Sequence, residues 1–152
     1  MAFRLRKDAR TWFKTLEGSL SSSAPLFELY YFCVAVGLSR NRKAEISNDD
    51  TDELVDYYPG EFRSRGRVIT AWLITKELEG LGISLNERPQ IHQAISKLVD
   101  PQSPSWLSEH GMREINRYAS GGFDALSEYI SDPPRSLPSF LISFHRIVTP
   151  DN

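Results

Sequence analysis

The sequence predicts a mainly α fold that begins with one short β-strand, in a ribbon-helix-helix-like order. Apolar and basic side chains alternate at residues 3–6, apolar side chains recur every three or four residues in later segments, and Gly or Pro stands at most segment boundaries. The 152 residues amount to one domain. We predict a single helical domain over 1–152, with a strand–helix–helix core at 1–38, inserted helices at 39–107 and C-terminal helices at 108–152.

The N-terminal elements are predicted from local patterns. The alternating Phe-Arg-Leu-Arg of residues 3–6 predicts a strand with one apolar and one basic face. Residues 7–17 carry apolar side chains at helical spacing, and residues 25–38 are apolar nearly all round, which is typical of a central buried helix. Cys33 lies inside that second helix, so we expect an inert packing residue and not a nucleophile.

The later elements are predicted from the same spacing rules. Helices are expected at 51–57, with acids at the start, and at 62–81, 86–100, 108–120, 123–130 and 136–148. Gly121 and Gly122 mark either a close turn or a kink where two backbones pack tightly.

Composition excludes several classes of protein. The net charge of −2 excludes a polybasic arm or an acidic tail as the main feature, and a single cysteine excludes a disulfide framework and a Cys-rich zinc site. The longest apolar run, 25–38, is too short to span a membrane, and the N-terminus lacks the apolar core of a signal peptide. We therefore expect a cytoplasmic protein without a membrane partner.

No catalytic, metal-binding or cofactor-binding motif is present in the sequence. The three histidines lie far apart, and neither a glycine-rich phosphate loop nor a nucleophile elbow occurs. The acids Asp49, Asp50, Asp52 and Glu53 favour a helix cap over a divalent cation site. A small metal-dependent nickase that uses these acids remains one alternative, and we otherwise predict no cofactor.

The distribution of cations favours nucleic acid as a partner. Residues 1–16 hold five cations against Asp8 alone, and a second basic group follows the buried helix. A lone N-terminal strand invites pairing with a second copy of the chain, and the resulting ribbon fits the DNA major groove, so a homo-oligomer is expected. This hypothesis requires the cations to share one exposed surface. The candidate DNA-binding residues are Arg4, Arg6, Lys7, Arg10, Lys14, Arg40, Arg42 and Lys43.

Two segments resemble a known family. They are residues 3–38, with FRLRKDARTWFKTLEG and PLFELYYFCVAVGL, and residues 111–130, GMREINRYASGGFDALSEYI. Together they are similar to DndE, the small protein of bacterial DNA phosphorothioation systems. The more specific part is the late segment, which holds Glu114, Asn116, Arg117, Tyr118, Gly122 and Phe123.

The resemblance implies a helical, self-associating accessory subunit of a DNA phosphorothioate-modification or anti-phage defence system. Such a protein binds duplex DNA, with nicks as one candidate target. It implies DNA contact for the basic residues of 4–14, whereas those of 40–43 are proposed from charge alone. The chain departs from the family because about seventy residues, 39–109, separate the two segments.

Two further interpretations stay open. Within the late segment, one interpretation places Arg117 on a phosphate. The other has Asn116 and Arg117 bonding carbonyls of a neighbouring loop or helix end, with Tyr118 in the core, and we favour the second. The whole chain is alternatively a protein-interaction scaffold subunit without direct DNA contact. That alternative depends on the acidic segment 44–61 and on an exposed Trp106 as an anchor for a partner.

Overall fold

The computed structural model describes residues 1–84 and 86–149 and is mainly α, as predicted. Its elements are β1 (Arg4–Arg6), α1 (Lys7–Trp12), α2 (Pro25–Arg40), β2 (Thr51–Glu53), α3 (Arg63–Leu81), α4 (Arg88–Leu98), α5 (Glu109–Tyr129) and α6 (Leu137–Val148), with 3-10 turns at Lys14–Ser19 and Gly60–Phe62. The chain forms two compact units. The core unit holds residues 3–54 and those from 116 onward, and the middle unit holds residues 1–2 and 55–115.

The predicted N-terminal strand is confirmed, but it is not alone. Phe3 and Leu5 are buried while the arginines between and after them are half-exposed, so the alternation holds. However, β1 pairs antiparallel with β2, with Leu5 opposite Asp52. The expectation of a strand without a partner in its own chain is therefore wrong. The prediction of a helix at 51–57 is also wrong. The backbone of Thr51–Glu53 forms its hydrogen bonds with β1 and not within a helix.

The first helix ends earlier than predicted. It stops at Trp12, and a 3-10 turn covers Lys14–Ser19 in place of the helix expected to residue 17. In a 3-10 turn, side chains three residues apart lie above one another. The Leu16 amide donates to the Phe13 carbonyl at 2.8 Å, and both side chains are fully buried. The tighter turn thus brings both into the core.

The buried second helix is confirmed. In α2 the side chains from Leu29 to Leu38 are buried except Tyr31, and the helix ends at Asn41, whose φ of 52° is left-handed. Cys33 is buried, and burial raises the pKa of its thiol far above its usual range. The prediction that Cys33 is a buried packing residue is confirmed.

The helix α5 is continuous through Gly121 and Gly122. Of the two predicted alternatives, the close turn is wrong and the tight backbone packing is confirmed. A Cβ atom at Gly122 would overlap the Cys33 carbonyl of α2, and one at Gly37 would overlap the Tyr118 carbonyl of α5. The two helices therefore cross in backbone contact at Gly37 and Gly122.

The last predicted helix is also confirmed as α6. The Ser136 side chain caps it by accepting a hydrogen bond from the Ser139 amide.

The middle unit contains α3, α4 and the first residues of α5. The Tyr58 ring fills the space beside Gly66 of α3, and its hydroxyl lies 2.9 Å from the Thr70 hydroxyl. Burial raises the pKa of Tyr58 to about 12. The predicted helices at 62–81 and 86–100 are confirmed with slightly shorter bounds.

Within residues 1–84 and 86–149, no helix combines the length and the apolarity that a membrane crossing requires.

Candidate nucleic-acid interface

Asn116 joins three elements of the core unit. Its side chain is fully buried, and its Oδ1 accepts from the Arg4 amide at 3.0 Å and from the Tyr30 hydroxyl at 2.8 Å. The amide of β1 that points away from β2 is thereby satisfied by a side chain of α5. Asn116 is therefore a structural residue of the core.

Tyr118 follows the structural interpretation, and Arg117 bonds the neighbouring loop as expected, although its side chain pairs there with a carboxylate. The Arg117 Nη2 lies 3.0 Å from a Glu45 carboxylate oxygen, and the Arg117 carbonyl accepts from the Ala44 amide. The Tyr118 ring is 1% exposed and lies in the core. These contacts attach the loop after α2 to α5.

Arg6 is held by two carboxylates. Its Nη1 lies 2.6 Å from Asp124 of α5, and its Nη2 lies 2.6 Å from Asp8 of α1. The guanidinium also lies 4.9 Å from the centroid of the Phe123 ring. Burial alone would lower the pKa of Arg6, but the hydrogen bonds and charges of Asp8 and Asp124 outweigh it, so the pKa is raised.

Arg4 is engaged by the loop before β2. Its Nε donates to the Thr51 hydroxyl at 2.8 Å, and its Nη2 reaches the carbonyls of Asn48 and Thr51 at 3.5 and 3.4 Å. The guanidinium that was expected to face DNA instead holds the segment that pairs with β1.

Arg42 makes a bidentate ion pair with Glu128 of α5. The two nitrogen–oxygen distances are 2.6 and 2.8 Å, a geometry that a planar guanidinium suits. The hydrogen bond to Glu128 raises the pKa of Arg42, and the same bond holds the pKa of Glu128 below its ordinary value. Three side chains of α5 therefore make ion pairs with other residues of the core unit: Arg117 with Glu45, Asp124 with Arg6, and Glu128 with Arg42.

The depressed pKa of Glu128 gives a pH prediction. The pair with Arg42 stabilises the fold at neutral pH, and this contribution is lost as the pH falls through the folded-state pKa, because the group's pKa is lower folded than unfolded. In an Arg42→Gln variant we expect the Glu128 pKa to return upward, as measured by carboxyl-carbon NMR titration. An Arg40→Gln variant is the matched control and should leave that titration in place. Equal midpoints in the parent and in Arg42→Gln would contradict the pairing.

All of the remaining predicted cations except Lys43 are exposed. Within residues 1–84 and 86–149, the side chains of Lys7, Lys14 and Arg40 make no hydrogen bond or ion pair. Arg10 is half-exposed, and its nearest acids, Glu17 and Asp52, lie 3.6 and 3.9 Å away. The Lys43 ammonium lies 5.1 Å from the centroid of the Tyr118 ring.

Two hollows in the core unit contain some of these cations. A cleft of about 500 Å³ includes Arg6 and Lys7 but also four acids, Asp8, Glu45, Asp50 and Asp124. A groove of about 440 Å³ includes Arg40, Arg42, Glu128 and Tyr129. Of the eight predicted residues, two line each hollow and the other four, Arg4, Arg10, Lys14 and Lys43, lie outside both. Arg6 and Arg42 are neutralised by carboxylates, so the eight cations do not share one exposed surface.

The acids proposed for a nickase are not gathered into a metal site. Asp52 lies in β2, and the Asp50 carboxylate accepts from the Ser47 hydroxyl at 2.9 Å. Among the residues that the structure describes, no group of three or more His, Cys, Asp or Glu side chains is placed to hold a metal ion.

A basic and aromatic cluster of the middle unit was missed. Arg67 lies over the Trp106 ring, with 5.5 Å from the guanidinium carbon to the ring centroid, and Trp106 also packs against Tyr58 at 5.7 Å. Trp106 is half-buried, so the expectation of an exposed anchor is wrong. The run of arginines at 63, 65 and 67 was the available signal, but its ring partner lies some forty residues later in the sequence.

Comparison of the chain with protein-family models, with curated proteins and with solved structures found no match.

Proposed function

We propose that the chain is a DNA-binding accessory subunit of a bacterial DNA phosphorothioate-modification or anti-phage defence system. The observation that carries this proposal is a row of exposed cations, Lys7, Arg10 and Lys14, along the N-terminal helical segment, here called the N-terminal row. Lys7 and Arg10 lie three residues apart on α1 and therefore share a face of that helix. The carboxylates nearest to Arg10 lie farther from its guanidinium than the carboxylates that bind Arg6 lie from the Arg6 guanidinium. A DNA phosphate can therefore replace the carboxylates at Arg10 with a smaller loss of interaction energy.

The packing of the core unit supports the resemblance on which the proposal also rests. Asn116 of the late segment bonds Arg4 and Tyr30 of the first, and Gly122 crosses the first segment at Gly37. The most specific family-like residues therefore serve to join the two segments. We therefore assign DNA contact to residues outside that junction, such as those of the N-terminal row.

The number of cations sets the expected salt dependence. Each phosphate neutralised contributes about −0.9 to the slope of log K against log salt, so three contacts give about −2.7 and eight would give about −7. We expect the N-terminal row by itself to contribute a slope near the smaller value, because Arg6 and Arg42 are already neutralised within the chain.

Replacing the N-terminal row by Lys7→Gln/Arg10→Gln/Lys14→Gln should remove most of the salt-dependent affinity for duplex DNA. Fluorescence anisotropy with a labelled duplex, at several salt concentrations, measures it. The control is Arg88→Gln/Arg135→Gln/Arg146→Gln, which makes the same change of charge at exposed positions elsewhere in the chain. If both triple variants keep the parent's slope and affinity, the N-terminal row is not the DNA-binding surface.

A protein-interaction subunit without DNA contact is the second candidate. It is favoured by α6, where Leu141 and Ile142 are 41% and 57% exposed although the opposite side of the helix, with Phe140 and Ile147, is buried. This function predicts no salt-dependent duplex affinity in the parent chain. The same anisotropy titration therefore separates the two candidates.

A further inference from the structure

Arg67, near the start of α3, is held in place by an aromatic ring and not by a carboxylate. The Arg67 guanidinium lies 5.5 Å from the centroid of the Trp106 ring. Trp106 is in turn supported by Tyr58, whose hydroxyl is fixed beside Thr70. Stacking on an aromatic face orients a guanidinium and leaves the donors at its edge available.

A second arginine lies one turn away on the same helix. Arg63 and Arg67 are four residues apart, so they share a face of α3 and lie about 6 Å apart along its axis. Both side chains are exposed, and neither forms an ion pair with a carboxylate of residues 1–84 or 86–149. Between residues 57 and 76 the sequence holds one acid, Glu61. Arg6 and Arg42, by contrast, each have a carboxylate at 2.6 Å.

Trp106 itself is held in an uncommon backbone conformation. Its φ of 62° is left-handed, which a bulky side chain rarely adopts. Two hydrogen bonds keep it there, because the Trp106 carbonyl accepts from the Asp100 amide at 2.9 Å and its amide donates to the Ser103 carbonyl at 3.2 Å. The loop therefore holds the ring under Arg67 in one position.

We propose that Arg63 and Arg67 form a binding site for the phosphodiester backbone of nucleic acid, in the middle unit and independent of the N-terminal row. A guanidinium fork matches two oxygens of one phosphate, and a nucleic-acid strand offers phosphates at regular short intervals, so two arginines one helical turn apart can each contact one. An acidic peptide is the weaker fit, because its carboxylates stand on flexible side chains that lose rotamer freedom on binding.

The test compares Arg63→Gln/Arg67→Gln with the parent full-length chain, by anisotropy with a labelled duplex over a series of salt concentrations. Losing two phosphate contacts should make the slope of log K against log salt shallower by about 1.8. Between about 50 and 200 mM salt, the variant should therefore lose roughly twelvefold less affinity than the parent. Arg88→Gln/Lys97→Gln removes two exposed cations of the same unit and should leave the slope unchanged.

A second readout reports on the site directly. In the parent, the side-chain Nε–H signal of Arg67 in an NMR spectrum should shift on addition of duplex, and that of Arg88 should not. Equal salt slopes in parent and Arg63→Gln/Arg67→Gln, or an unmoved Arg67 signal, would overturn the proposal. Displacement of the duplex by polyglutamate at equal charge concentration would also overturn it, in favour of an acidic peptide.

The outcome is separable from that of the N-terminal row. If only the Lys7→Gln/Arg10→Gln/Lys14→Gln variant lowers the slope, the proposed function stands and the site at Arg63 and Arg67 is refuted. If only Arg63→Gln/Arg67→Gln lowers it, the site stands and the N-terminal row is refuted.

Discussion

Replacing Gly122 by alanine is expected to destabilise the chain by about 3 kcal/mol or more, which is at or above the usual cost of overpacking a core. The added Cβ would overlap the Cys33 carbonyl and would lie 2.7 Å from the Gly37 amide nitrogen. Both neighbours are backbone atoms inside α2, so no side chain can turn aside to make room. The helices α2 and α5 would have to move apart, and the buried side chains around Cys33 would lose contact with their neighbours.

Urea denaturation followed by circular dichroism measures this loss. Gly80→Ala is the matched control, because Gly80 is also in a helix, is exposed and has nothing within 4 Å of an added Cβ. That control should stabilise the chain by about 0.5–1 kcal/mol, since alanine is the better helix former. A Gly122→Ala variant as stable as the parent would show that α2 and α5 are not in backbone contact.

Replacing Asn116 by leucine is the second change with a large expected effect, about 3 kcal/mol of stability. The side chain of Asn116 is fully buried, and its single oxygen accepts from both the Arg4 amide and the Tyr30 hydroxyl. Leucine has nearly the same shape but no acceptor. Both donors would lose their hydrogen bond to Asn116, and the loss of a buried hydrogen-bond acceptor costs about 1–3 kcal/mol for each donor.

A double-mutant cycle with Tyr30→Phe tests the cause of that loss. In the parent, Tyr30→Phe removes one hydrogen bond and should destabilise the chain by about 1 kcal/mol. In the Asn116→Leu background that hydrogen bond is already absent, so the same change should cost less than it does in the parent. Strictly additive effects of the two substitutions would rule out the hydrogen bond between these side chains.

The parts of the fold that depend on local pattern were predictable from sequence. The apolar and basic faces of residues 3–6 and the burial of residues 25–38 follow from spacing within a few residues. The strand β2 does not, because its backbone is satisfied by β1, about forty-seven positions earlier. The acids from Asp49 to Asp52 imitate the start of a helix, and that local signal is outweighed by pairing with β1.

The candidate site was harder to predict, because ion pairs form between distant residues. The basic character of Arg6 and Arg42 is plain in the sequence, but their partners, Asp124 and Glu128, lie 118 and 86 residues away. Charge counting over a short segment cannot anticipate such neutralisation. The same limit hid the contact of Arg67 with the Trp106 ring, because Arg67 is in α3 and Trp106 is in a loop some forty residues later.

The composition of the core unit has a consequence for synthesis on the ribosome. Residues 3–54 are translated before Asn116 and Gly122, which follow their packing partners Arg4 and Gly37 by 112 and 85 residues. During that interval the apolar side chains of α2 lack the helix that covers them, and pairings so distant in sequence form slowly. A nascent chain halted before residue 116 is therefore expected to be a target for chaperones, and translation past Gly122 is the step that ends this exposure.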